Sequence, residues 1–73
     1  MTAEQRQSLC DELETLIDQH DVTTLLDCMS QVCWEKAEHL RSNWGEHSTA
    51  KLWEKAAVHL DNTASHTFIK AIS

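Results

Sequence analysis

Proline and tyrosine are absent from this 73-residue chain, and glycine and phenylalanine occur once each. So little turn chemistry leaves no room for a many-stranded sandwich or barrel, and none for a collagen-like repeat. Positive charge is scarce as well: six Lys and Arg stand against twelve Asp and Glu, for a formal charge of −6. That excludes the basic face of a typical nucleic-acid binder. Uninterrupted apolar runs, such as Ala56, Ala57 and Val58, stop at two or three residues, far short of the ~20 that span a bilayer. The N-terminus, Met1-Thr2-Ala3-Glu4-Gln5-Arg6-Gln7, has no apolar segment, and no signal peptide is expected. Three cysteines, Cys10, Cys28 and Cys33, are an odd number without metal-like or redox-like spacing. They predict buried thiols in a reducing, cytoplasmic setting.

What is present points to one all-α domain over residues 1–73. Apolar residues make up 41% of the chain, too many for a disordered segment. A chain this short buries only about 60% of its unfolded surface, so self-association or a partner is expected. Thr2 and Gln5 form a capping-box signature, and Leu9, Leu13, Leu16 and Ile17 follow at helical spacing, predicting a helix over about 3–19. Asp21-Val22-Thr23-Thr24 supplies a cap and β-branched residues, which predicts a short loop closing an antiparallel pair with a second helix over about 23–44. That second helix places Leu25, Leu26, Met29, Val32, Cys33, Ala37 and Leu40 on one side, and Gly45, the single glycine, terminates it.

A long third helix, about 48–71 with Ser48 as its N-cap, carries the sharpest periodicity. Ala50, Ala57, Ala64 and Ala71 recur every seven residues, with Trp53 and Leu60 three residues after the first two. Small residues at one heptad position let two helix backbones approach closely. The seam is either a homo-oligomer interface or core packing within one subunit. A break is expected between Asn62 and His66, where Ser, Thr, Asn and His cluster. Trp34-Glu35-Lys36-Ala37 recurs as Trp53-Glu54-Lys55-Ala56, but the His-Leu pairs that follow are one residue out of step. The two copies therefore do not present equivalent faces.

Charge is uneven along the chain. Residues 1–21 hold six acids against Arg6, a net of −5, whereas residues 46–73 sum to zero. At 100° per residue Glu4, Asp11, Glu14 and Asp18 fall within an arc of about 80°, opposite Leu9, Leu13 and Leu16. The stripe is either a solvated face or a docking face for a partner with a basic surface. Trp34 lies off the apolar stripe of the second helix near Arg41, capping a core edge or packing on another molecule with Arg41 stacked over its ring. Trp44 and Trp53 fit the apolar stripes and are expected in the core. Lys36 points into an apolar arc, where its stem snorkels or its ammonium meets an anion.

Chemistry-bearing constellations are sparse. Glu35 with His39, and His59 with Asp61, are the nearest approach to a metal set, but the Glu-x-x-His spacing of bundled di-metal proteins is absent. No metal, cofactor or catalytic residue is assigned, since no phosphate loop, nucleophile elbow or Cys-His-Asx arrangement is recognisable.

The stretches Glu35 to Trp44 (EKAEHLRSNW) and Ala50 to Ala57 (AKLWEKAA) resemble short helical open reading frames of bacteria and phages. That resemblance carries no residue role across. Its implication is that of small acidic phage-type proteins acting as inhibitors or adaptors of host machinery. The expected function is non-enzymatic protein binding through Glu4, Asp11, Glu14 and Asp18, with Trp34 and Arg41 adding contact area, in the manner of a nucleic-acid mimic. Two alternatives stand beside it. One is a homodimer or higher oligomer that holds a nucleotide-like anion in an intersubunit pocket through Lys36, Arg41 and Lys51. The other is a structural subunit of a helical assembly.

Overall fold

The computed structural model describes residues 1–72, and the fold is all-α, with no strand among them. Helix α1 spans Ala3–Gln19, α2 Val22–His39, α3 His47–Ala64 and α4 Thr67–Ile72, and a π-helical turn, Leu40–Trp44, prolongs α2. The boundaries follow local chemistry. Thr2 caps α1 in a reciprocal box: its Oγ1 accepts from the Gln5 amide at 3.1 Å and its own amide donates to Gln5 Oε1 at 2.8 Å. At the next helix start, Asp21 Oδ1 accepts from the Thr24 amide at 2.6 Å. Gly45, at φ 64°, ends the π turn in the left-handed conformation, with the amides of Gly45 and Glu46 both donating to the Leu40 carbonyl.

The tightly packed pair is α2 with α3, rather than α1 with α2. Its antiparallel sense is marked by Arg41 meeting Glu54 near the turn and Ser30 meeting Ala57 farther from it. The reason lies in side-chain size. Ala50, Ala57 and Ala64 are buried on α3 against a face of α2 that buries Ser30, Cys33 and Ala37, and small residues permit the close approach of two backbones. Helix α1 offers only large residues on its apolar face, so it cannot nest in the same way. Its backbone approaches α2 only sparsely and does not approach α3 closely, and it buries none of its residues.

The expected break between Asn62 and His66 is present, and other expectations are decided or corrected. The alanine seam of Ala50, Ala57 and Ala64 is filled within the chain, which is the intrachain alternative, while Ala71 is exposed on α4. The long third helix is divided at Ser65 and His66, where the Ser65 hydroxyl and amide both turn back to the Asp61 carbonyl. Helix α3 begins at His47 with Glu46 in the cap position and no side-chain cap bond, so Ser48 is already helical. Of the three thiols only Cys33 is buried. Trp44 is 68% exposed, because the π turn inserts an extra residue and carries it off the α2 stripe.

Candidate functional site

Helix α1 leaves the α2–α3 pair at an angle, and the wedge between them is an apolar groove of about 530 Å³. Leu13, Leu16 and Ile17 of α1 form one wall, Met29 and Val32 of α2 the other, and Trp53 of α3 closes the floor. The α1 leucines and Ile17 remain 39–44% exposed. An amphipathic helix ordinarily covers such a face with a second layer of structure, and among the described residues nothing does so.

A second, amphipathic recess of about 600 Å³ adjoins the first and shares Val32 and Trp53 with it. Its other walls are Glu35, Lys36, His39 and Leu40. The Lys36 ammonium sits 5.5 Å from the centroid of the Trp53 ring, within the range of a cation–π contact. The snorkelling expected of Lys36 thus ends on an aromatic face. His39 is held at both ring nitrogens: the Trp44 indole donates to Nε2 at 3.3 Å, and the Asn43 amide lies 2.7 Å from Nδ1.

The acidic residues of α1 stand where the helical wheel puts them. Glu4, Asp11, Glu14 and Asp18 are all exposed, and none joins an ion pair among the described residues. Asp11 accepts from Gln7 Nε2 at 2.9 Å. The stripe lies on the side of α1 away from the groove, so acid and apolar surfaces face opposite directions. Arg41 does not stack on Trp34. Its guanidinium is ion-paired with Glu54 of α3, both side chains being about one-third exposed, and Trp34 stands half-exposed without it. Lys51 is exposed on α3 and lines neither recess. Within one chain, Lys36, Arg41 and Lys51 do not line a common recess. Leu60 is half-buried.

Three structural features escaped the sequence reading: Glu54 as the partner of Arg41, Trp53 as an aromatic wall shared by both recesses, and Ser30 as a buried polar group. Ser30 did carry a signal, since it falls on the α2 stripe between Leu26 and Cys33. Among the described residues no three His, Cys, Asp or Glu side chains converge as a metal site would require, and no helix is long and apolar enough to cross a membrane. Comparison with family models, with curated proteins and with solved structures finds no match for this chain. The surface as built offers contact area, one aromatic-bound cation and a separate anionic stripe.

Proposed function

We propose that the chain is a non-enzymatic, acidic protein-binding module of the cytoplasm that docks on the basic surface of a partner, in the manner of a phage-type inhibitor standing in for nucleic acid. The supporting observation is that Glu4, Asp11, Glu14 and Asp18 share one exposed face and no cation of the described chain neutralises them. Unpaired carboxylates project their field outward and speed encounter with a basic partner. Trp34, half-exposed, adds apolar contact area. Arg41 leaves the contact set because Glu54 already holds it. Self-association belongs to the same reading, since the chain leaves an apolar groove open to solvent.

The test uses the tagged chain and its Asp11→Lys/Asp18→Lys double variant as parallel baits. The wild-type chain retains a basic protein that salt releases, because screening shortens from about 10 Å at 0.1 M to about 3 Å at 1 M, and double-stranded DNA competes for it. The variant retains none. Equal retention by both baits overturns the reading.

The Lys36–Trp53 contact favours one second reading: the amphipathic recess takes an anionic aromatic molecule, stacked on the indole with its charge on the ammonium. Nucleotides at micromolar concentration would then quench Trp53 fluorescence, and Lys36→Ala would abolish the quenching. A flat response across ATP, GTP and their monophosphates removes this reading.

A further inference from the structure

The surface of this chain is too large for its mass. A folded monomer of 8.4 kDa exposes about 4,600 Å² on the general scaling of surface with mass, whereas this chain exposes 5638 Å². The excess, roughly 1,000 Å², resembles the ~800 Å² that each partner gives up in a standard stable interface. Compactness agrees. The radius of gyration is 14.5 Å, against about 11 Å for a compact domain of this length. Helix α1 contributes to both excesses, since it buries none of its residues and holds one wall of the open groove.

We propose that the groove is filled by α1 of a second copy, so that the protein is a two-fold dimer in which each α1 lies in the wedge of its partner. This deepens the self-association named above. A two-fold interface requires one patch to serve both as host and as guest. The groove meets that requirement because α1 is itself one of its walls: a guest α1 lies against the host's α1 and α2 while its own α2 closes over the host's α1. The missing second layer on α1 is then supplied by the partner. Charge allows the arrangement. The carboxylates lie opposite Leu9, Leu13 and Leu16, so joining the apolar faces leaves both acidic stripes pointing outward.

Sedimentation equilibrium on the full chain from about 1 to about 100 μM reads the outcome. The expected mass is twice the 8.4 kDa of one chain. Leu13→Glu and Leu16→Glu each weaken the dimer by roughly 100-fold or more, the scale of a lost central anchor, while Asp11→Lys on the outer face leaves it intact. Where a glutamate variant unfolds α1, hydrogen exchange on the unmodified chain decides: the amides of residues 13–17 become more protected as concentration rises. Salt separates this proposal from docking, because an apolar dimer of like-charged copies holds or tightens in high salt, whereas capture of a basic protein weakens. A monomeric mass throughout, a dimer indifferent to both glutamate variants, or α1 exchange independent of concentration overturns the proposal and leaves the acidic stripe to be judged on its own test.

Discussion

The Ser30 hydroxyl donates to the main-chain carbonyl of Ala57 at 3.0 Å, across the buried α2–α3 contact. Ser30 is 2% exposed and Ala57 fully buried, so the bond exists only because both side chains are small. Enlarging Ala57 to Leu forces the helices apart and is expected to destabilise the fold by about 1–3 kcal/mol or more. Ser30→Ala removes only the hydrogen bond, and its expected cost is about 0.5–1.5 kcal/mol. Urea midpoints at one fixed protein concentration check both, and the ordering decides: a smaller loss for Ala57→Leu than for Ser30→Ala would mean that the seam is loosely packed.

Gly45 supplies a second test, of backbone rather than packing. A Cβ placed there would meet nothing within 4 Å, yet the residue sits at φ 64°. The cost of Gly45→Ala is thus conformational, about 1–2 kcal/mol for an L-residue in the left-handed region. Gly45→Asn should lose less, since asparagine enters that region more readily. Thermal unfolding of the two variants side by side measures the difference, and equal losses would point to something other than backbone conformation.

The Asp21 cap makes stability depend on acid. Hydrogen bonding from the Thr24 backbone amide, then from the Thr24 side chain, with the nearby His20 charge, holds the Asp21 carboxyl below its ordinary value of 3.8. A carboxyl whose folded-state value is lowered contributes stability that is complete above the unfolded value and disappears as pH falls through the lowered one. Asp21→Ala should therefore be less stable than wild type near neutral pH, and the gap should narrow in acid, as pH falls through the lowered value. Paired urea titrations at neutral and acid pH give the answer. A gap that stays constant would show that the carboxylate is not the capping species.

Such caps were legible because they depend on neighbours in sequence. The Thr2–Gln5 box needs residue types at fixed offsets, and Gly45 was marked by being the only residue able to take positive φ without strain. The heptad of alanines was legible too, but not its partner: periodicity reports that a face is small, and leaves open whether the matching face belongs to α2 or to another chain. Ser30, Cys33 and Ala37 answer that, because their small side chains complete the seam from within. The α1 leucines had the same pattern as a buried face, and only the tertiary arrangement shows them uncovered. Trp44 was misplaced for a geometric reason, since a single π turn shifts every later residue off a 3.6-residue wheel. The acidic stripe of α1 was fully legible, being a property of one helix.

Arg41 and Glu54 offer the last test, because their pairing removes Arg41 from the surface first assigned to it. Both side chains are about one-third exposed, so water and salt weaken the attraction, and coupling for such pairs is expected at about 0.2–1 kcal/mol. A double-mutant cycle with Arg41→Gln and Glu54→Gln isolates that term from the separate effect of each change on helix stability. Repeating the cycle in about 1 M salt, where screening acts over about 3 Å, should reduce it. Zero coupling at low salt would return Arg41 to the pool of free surface cations, and the reading that Trp34 and Arg41 act together at a partner would revive. A clear, salt-sensitive coupling keeps Arg41 in the α2–α3 contact and leaves Trp34 to meet a partner without it.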